Sequence, residues 1–188
     1  MWGAIIGDLA GSIYEFEQTK GITSVTIKNI IEENSFYSDD TILTIAILDA
    51  FLNDKDYAKY LRQYAQEYKD YQPNHKPYFR RPFSPGFLKW TAGTEIGHST
   101  GNGSMMRISP VAYLSKTEEE LIINTIKATE CSHNSAEAIV NTKKIAEFIY
   151  LANKGIDKNK IFEILKLNPI YKPFQEFNMT CSTTIDNY

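Results

Sequence analysis

Residues 38–48 read SDDTILTIAIL, and this stretch decides the fold. The apolar run continues almost unbroken to Leu52, which is long enough for a buried helix. Ser38 is a favourable N-cap residue, so the pattern predicts a helix with Asp39 and Asp40 in its first turn. We expect the rest of the chain to be organised around this helix.

Two adjacent carboxylates at the start of an apolar helix have two interpretations. In the first, Asp39 and Asp40 complement the positive end of the helix macrodipole, each contributing roughly 0.3–1 kcal/mol. One acidic residue would serve that purpose, whereas a pair at the mouth of a buried helix indicates a charge that needs neutralising. In the second, the carboxylates are ligands of a hard divalent cation, which prefers oxygen donors of this kind.

Length, charge and cysteine content narrow the class of protein. The 188 residues predict one domain with enough chain to bury a core. The net charge of −3 gives no indication of a basic surface, so neither nucleic acid nor a membrane is an expected partner. The cysteines at 131 and 181 make no disulfide framework, and no stretch resembles a signal peptide or reaches transmembrane length. We therefore expect a soluble, cytoplasmic protein.

The N-terminal segment combines a glycine ridge with a polar stripe. Gly3, Gly7 and Gly11 recur every four residues, which on a helix forms one smooth face and predicts close packing of another backbone there. Asp8, Ser12 and Glu15 form an adjacent polar row on the same helix. This row is either a solvated face or the lining of a cleft.

The remaining elements are predicted from helical spacing, caps and breakers. The helices are expected at residues 2–15, 39–52, 57–71, 118–131, 136–154 and 157–167, with a short helical piece near 87–90. Residues 22–27 are the only stretch with strand-forming composition. The prolines at 73, 77, 82 and 85 predict a loop over 72–86. The fold class is therefore predicted to be all-α.

A glycine-rich segment precedes a short apolar run that begins at Met105. Gly101, Asn102, Gly103 and Ser104 form a turn that can present backbone N–H groups to an anion. Another polar side chain, His133, lies between two predicted helices; a lone histidine there is more often structural than a ligand.

These motifs together resemble the ADP-ribosylglycohydrolase family, which includes the dinitrogenase-reductase-activating glycohydrolases and the ADP-ribosyl-acceptor hydrolases. The resemblance rests on order and spacing. It is carried by residues 7–15 (GDLAGSIYE), 38–41 (SDDT), 101–107 (GNGSMMR) and His133 before a long helix.

The resemblance implies an all-α fold, two Mg²⁺ or Mn²⁺ ions in a central cleft, and ADP-ribose or an ADP-ribosylated substrate as partner. It assigns metal ligation to Ser38, Asp39 and Asp40, and chemistry at the scissile bond to Glu15 and Asp40. It assigns ADP-ribose binding to the glycine-rich segment and one histidine: Gly101, Asn102, Gly103, Ser104, Met105 and His133. The acceptor group stays open, since arginine, serine, a nucleobase or an ADP-ribose ester would all fit.

One family motif has no counterpart in the chain. The family ends with an acidic motif of the form Gly-Gly-Asp-x-Asp-Thr that completes the metal site, whereas this chain ends at Tyr188. We expect residues 1–188 to form a single domain without the final helices of the fold. The alternatives are a truncated gene, a second polypeptide that completes the fold, and a different role for the chain.

Three functions follow from this departure. The first is ADP-ribosylglycohydrolase activity, impaired by the missing motif, with at most one weakly bound divalent ion. The second is a non-catalytic module that binds ADP-ribose or a related nucleotide. The third is a structural protein that keeps only the fold. An apolar face left uncovered by the missing helices would favour a homo-oligomer.

Overall fold

The computed structural model describes residues 1–14, 29–73 and 81–167. The α-helices in these ranges are α1 (Trp2–Gly11), α2 (Asp39–Leu52), α3 (Tyr57–Tyr68), α4 (Pro85–Thr91), α5 (Gly103–Met106), α6 (Ser109–Leu114), α7 (Glu118–Glu130), α8 (Ala136–Asn153) and α9 (Lys158–Ile164). No strand forms within these ranges, where the only β-type pairing is an isolated bridge between His98 and His133. The all-α prediction is therefore confirmed.

Helix α2 lies at the centre of the core, as its sequence predicts. Ile42, Leu43, Ala46, Ile47 and Ala50 are buried along it. The helix contacts α1, α3, α5 and α6, so both the N-terminal segment and the glycine-rich segment pack against it. Burial on nearly all sides explains why this helix is apolar almost throughout rather than along one stripe.

Helix α3 contributes an aromatic layer to the same core. Tyr57 and Leu61 are buried against α2, and the remaining tyrosines of the stripe are partly buried around them. The phenol of Tyr57 donates to Asn124 Oδ1 on α7 over 3.0 Å, so a buried polar group is satisfied by a neighbouring helix. The helix ends at Tyr68, one turn before the predicted residue 71.

Two predicted boundaries differ from the structure, each for a local reason. Helix α1 ends at Gly11 and continues as a 3₁₀ turn over Ser12–Tyr14, where the Ser12 hydroxyl donates back to the carbonyl of Leu9 over 2.9 Å. The predicted loop over 72–86 is wrong at its end, because Pro85 occupies the first turn of α4. Proline is tolerated there since its missing N–H would have no helical partner.

The predicted glycine ridge on α1 is not a packing surface within the described part of the chain. A Cβ added to Gly3, Gly7 or Gly11 would meet no atom of the described residues within 4 Å. The prediction of close backbone packing is therefore wrong here, and the polar side of α1 faces inward instead. Asp8 and Ser12 are buried, so the solvated-face interpretation of these two residues is wrong as well.

The long C-terminal helix α8 ends as predicted. Gly155 adopts a left-handed conformation with φ of 79°. Its N–H donates to the carbonyl of Ala152, and the N–H of Ile156 donates to that of Leu151, which is the Schellman pattern. The possible strand at residues 22–27 lies outside the described residues. Within the described ranges, no helix combines the length and apolar character needed to cross a bilayer.

Candidate functional site

Ser38 begins the central helix in the manner the sequence predicts. Its backbone is extended, and its Oγ accepts a hydrogen bond from the N–H of Asp40 over 3.2 Å. This N-cap places Asp39 and Asp40 in the first turn of α2, beside the positive end of the helix. The site is therefore built on a rigid helix terminus rather than on a loop.

Asp8 holds this helix terminus against α1. Its Oδ1 accepts the Ser38 hydroxyl at 2.7 Å, and its Oδ2 accepts the Ser38 N–H at 2.8 Å. Oδ2 also accepts from Thr41, from the backbone N–H at 3.2 Å and from the hydroxyl at 2.5 Å. A buried carboxylate that receives four hydrogen bonds is well satisfied, and it fixes the distance between the two helices.

This arrangement places the negative charge of Asp8 near the Asp40 carboxyl. Burial raises the pKa of the Asp40 carboxyl, and the nearby negative charge of Asp8 raises it further, while the hydrogen bond from Ser38 opposes the shift. The Ser38 Oγ lies 3.3 Å from Asp40 Oδ2, so one hydroxyl lies between two acidic groups. Two carboxylates in a partly buried place create a local excess of negative charge.

The donor set fits a hard divalent ion in kind. The Ser38 hydroxyl and the carboxylates of Asp39 and Asp40 provide oxygen atoms only, which is the preference of Mg²⁺ and Mn²⁺. The number of ligands is small, since no group of three or more His, Cys, Asp or Glu side chains that would hold a metal occurs among the residues described.

A second cluster of contacts forms between the backbone at Gly97 and the turn between α7 and α8. The N–H of Gly97 donates to the carbonyl of Cys131 at 2.9 Å, and the N–H of Asn134 donates to the carbonyl of Gly97 at 3.0 Å. A Cβ on Gly97 would stand 2.6 Å from the carbonyl oxygen of Ser132. Only glycine permits this approach, which holds the two segments side by side.

The predicted ADP-ribose-binding residues occupy the start of α5. Asn102 is exposed at its N-cap, and Gly101 and Gly103 are partly exposed on either side. Ser104 is buried, and its hydroxyl shares a hydrogen bond of 2.9 Å with Thr142 of α8. The start of α5 is thereby attached to α8, while the segment 101–103 keeps accessible surface.

A model of the ADP-ribosylglycohydrolase family matches residues 1–178 of this chain. The chain belongs to the ADP-ribosylglycohydrolase family. No match was found among curated proteins. The match covers both clusters, and α2, which carries the acidic cluster, contacts α5 in the structure.

His133 of this glycohydrolase-family chain is buried. Only 3% of the residue is exposed, and its ring lies against Gly103. Its Nδ1 is 2.8 Å from the Ser132 hydroxyl, and its Nε2 has no hydrogen-bond partner among the described protein atoms. The ring therefore lies behind the segment 101–104. Glu15, which was predicted to act at the scissile bond, lies outside the described residues.

Three structural residues of the site were assigned no role in the sequence analysis. Arg107 is buried beside Ser132 and donates to its hydroxyl, and Thr142 anchors Ser104. The signal for Arg107 was a charged side chain within the mostly apolar run 105–112. Burial lowers the pKa of Arg107 to about 10, while the charges of Cys131 and Asp39 oppose that shift.

A cavity lies beside the site and does not contain it. It has a volume of about 620 Å³ and is lined by residues that include Leu9, Phe36, Tyr37 and Tyr71. The rings of Tyr37 and Tyr71 stack with centroids 4.3 Å apart. Among the described residues, no predicted site residue lines this cavity, although Tyr37 directly precedes Ser38.

Proposed function

We propose that the chain acts on ADP-ribosylated substrates, cleaving the glycosidic bond between ADP-ribose and its acceptor with help from Mg²⁺ or Mn²⁺. The observation that carries this proposal is the cluster of Asp8, Ser38 and Asp40 at the N-terminus of α2. Burial and repulsion from Asp8 disfavour the charge on Asp40, so a cation at this place would be stabilising.

The ion would be held by Ser38, Asp39 and Asp40. When bound, it supplies positive charge that neutralises the carboxylates and lowers the pKa of an attached water. Asp8 contributes indirectly, because its four hydrogen bonds hold Ser38 and Thr41 in place. This arrangement keeps the ligand oxygens on a rigid helix end, where they lose little conformational entropy on binding.

The proton transfers are assigned to carboxylates. Cleavage at the anomeric carbon of ribose develops oxocarbenium character, so a nearby carboxylate stabilises the developing positive charge. In this proposal Glu15 and Asp40 take a proton from the attacking water or return one to the leaving group. The role of Glu15 comes from the family resemblance alone.

The segment 101–105 is proposed to bind the phosphates and distal ribose of ADP-ribose. Gly101 and Gly103 leave the backbone accessible, and the buried Ser104–Thr142 hydrogen bond keeps this segment in place. His133 supports the segment from behind through its contact with Gly103.

A second candidate function is binding of ADP-ribose without turnover. It is favoured by the small number of acidic ligands in the described part of the chain, where no set of three metal-binding side chains occurs. Mg²⁺ usually takes six ligands in near-octahedral geometry, so three protein groups would give weak binding. We therefore expect one weakly bound ion at most and slow hydrolysis, or none, by these 188 residues.

Calorimetric titration of the chain with Mg²⁺, Mn²⁺ and ADP-ribose, beside a turnover assay on ADP-ribosyl-arginine and ADP-ribosyl-serine peptides, separates the two candidates. In the hydrolase, Asp39→Ala abolishes ion binding and turnover, Glu15→Gln abolishes turnover alone, and the exposed-site control Asp70→Asn changes neither. Binding of ADP-ribose with no turnover supports the second candidate.

Two tight ion sites with rapid turnover would contradict the expected weak binding and show that other residues supply ligands. Absence of any affinity for ADP-ribose would contradict both functions. Self-association, or completion of the domain by a second polypeptide, stays a prediction that light scattering on the chain would test.

A further inference from the structure

Arg107 is a buried cation with few partners. Only 1% of the residue is exposed, and its Nη2 donates to the hydroxyl of Ser132 over 2.5 Å. Its Nε and Nη1 have no hydrogen-bond partner among the described protein atoms. Leaving a buried donor unpaired is unfavourable, so an arginine in this position needs a reason beyond packing.

The hydroxyl of Ser132 connects this guanidinium to His133. Ser132 Oγ lies 2.5 Å from Arg107 Nη2 and 2.8 Å from His133 Nδ1. An arginine donates hydrogen bonds and cannot accept them, so Ser132 Oγ is the acceptor in the first contact. The hydroxyl keeps its own hydrogen to donate, and His133 Nδ1, at hydrogen-bonding distance, accepts it in the tautomer that carries hydrogen on Nε2.

The neighbouring thiol is a poorer acceptor for this hydrogen. A cysteine sulfur accepts weakly, and Cys131 Sγ contacts the carbonyl of Ala128 at 3.5 Å. Burial and the positive charge of Arg107 lower the pKa of His133 to about 3, so the ring is neutral and carries one hydrogen. If Nδ1 accepts from Ser132, that hydrogen lies on Nε2.

We propose that Arg107 and Ser132 are positioning residues, which hold His133 in the tautomer with hydrogen on Nε2 so that the ring directs an N–H donor toward Gly103. His133 Nε2 lies 3.3 Å, and Arg107 Nη1 lies 3.8 Å, from the place that a Cβ on Gly103 would occupy. Both groups are donors, so the surroundings of Gly103 on this side favour an oxygen acceptor or a negative charge.

This polarity affects the segment that precedes α5. Because His133 is buried, neither His133 Nε2 nor Arg107 Nη1 contacts a ligand directly. These groups would affect a ligand by holding Gly101–Ser104 in place and by placing positive charge behind this segment. An anionic ligand such as the diphosphate of ADP-ribose would be favoured on the accessible side of the segment. The ligand part of this inference rests on the proposed function, whereas the tautomer of His133 does not.

Long-range ¹H–¹⁵N correlation spectra of the histidine side chains test the tautomer in the full chain. The sequence contains three histidines, and His133→Gln identifies the signals of His133. In the unmodified protein we expect hydrogen on Nε2 and a bare Nδ1 between pH 6 and 8. Ser132→Ala should release the tautomer into a mixture, and Arg107→Lys, which keeps the charge, should preserve more of it than Arg107→Met.

Hydrogen on Nδ1 in the unmodified protein would overturn the proposal, and this measurement needs no variant to fold. An unchanged tautomer in a folded Ser132→Ala variant would also overturn it. Arg107 and Ser132 have the proposed role only if the tautomer of His133 depends on the Ser132 hydroxyl, which lies between Arg107 and His133.

Calorimetric titration with ADP-ribose tests the effect on the ligand. We expect Ser132→Ala to weaken binding about tenfold, because His133 and Arg107 would no longer be held in place behind the segment. The matched control is Ser109→Ala, a buried serine of α6 whose hydroxyl has no partner among the described atoms. This control should bind ADP-ribose as the unmodified chain does.

The failures are distinguishable. If the unmodified chain does not bind ADP-ribose, the proposed function is wrong and the tautomer is judged by its spectrum. If it binds, and Ser132→Ala shifts the tautomer without weakening the affinity, the positioning role is wrong while the proposed function stands.

Discussion

The Asp8 carboxylate accepts the hydroxyl hydrogen of Ser38 over 2.7 Å, and this hydrogen bond joins α1 to the start of α2. The same carboxylate accepts the backbone N–H of Ser38 and both donors of Thr41. Asp8 therefore completes the N-terminus of the central helix, although it lies 30 residues before Ser38 in the sequence. A residue that touches four donors of the site controls its geometry.

Asp8→Asn is expected to destabilise the fold by about 2–3 kcal/mol, because the amide cannot accept from all four donors and leaves buried groups unpaired. The midpoint of urea denaturation measures this loss. The control is Asp54→Asn, which removes a carboxylate from an exposed ion pair with Lys59. That variant should unfold at the same urea concentration as the unmodified chain, since exposed pairs contribute little. Equal midpoints for the two variants would contradict the role of Asp8.

Gly97→Ala should destabilise the chain by roughly 1–3 kcal/mol, since the new methyl group would overlap the backbone of Ser132. Thermal denaturation followed by circular dichroism provides the measurement. Gly86→Ala is a matched control of opposite sign. Gly86 lies in α4 with no atom within 4 Å of an added Cβ, so alanine should raise stability by about 0.5–1 kcal/mol. A neutral Gly97→Ala would show that the two segments separate easily.

Ser104 and Thr142 should behave as one unit in a double-mutant cycle. Both hydroxyls are buried, and they share a hydrogen bond of 2.9 Å. Ser104→Ala or Thr142→Val leaves the other hydroxyl unpaired, which should cost about 1–2 kcal/mol, whereas the double variant removes both. We expect the double variant to cost less than the sum, with a coupling of about 1 kcal/mol. Additive effects in urea denaturation would show that the contact does not hold α5 against α8.

His133 should make the fold less stable in acid. Burial, with a smaller effect of Arg107, lowers the pKa of the folded ring to about 3 from its usual 6.5. Between these values the unfolded chain binds a proton that the folded chain does not, so stability is full above pH 6.5 and falls as the pH drops toward 3. The maximum slope is about 1.4 kcal/mol per pH unit.

His133→Gln tests this linkage, because it removes the titrating ring from both states. Urea denaturation at several pH values between 4 and 8 should show a shallower acid-side slope for the variant, by up to one proton. Parallel pH dependences of the variant and the unmodified chain would mean that folding does not lower the pKa of His133.

The sequence alone predicted the longer helices and the start of the central one, but not the short helices α5 and α6. The SDDT capping pattern and the apolar run predicted both ends of α2, and the glycine at 155 predicted the end of α8. These features depend on local backbone energetics. Residues close to a helix end decide whether the free N–H or C=O groups of that end find hydrogen-bond partners. The motif spacing also identified the family, which the family model confirmed.

Only the tertiary structure decided which polar groups meet. The inward position of Asp8, the Arg107–Ser132–His133 chain and the Ser104–Thr142 pair join residues from different helices. The glycine ridge misled because helical periodicity shows which residues share a face but not which face is covered. Burial depends on the packing of all helices together, and a hydrogen bond between residues 30 apart has no local signature in the chain.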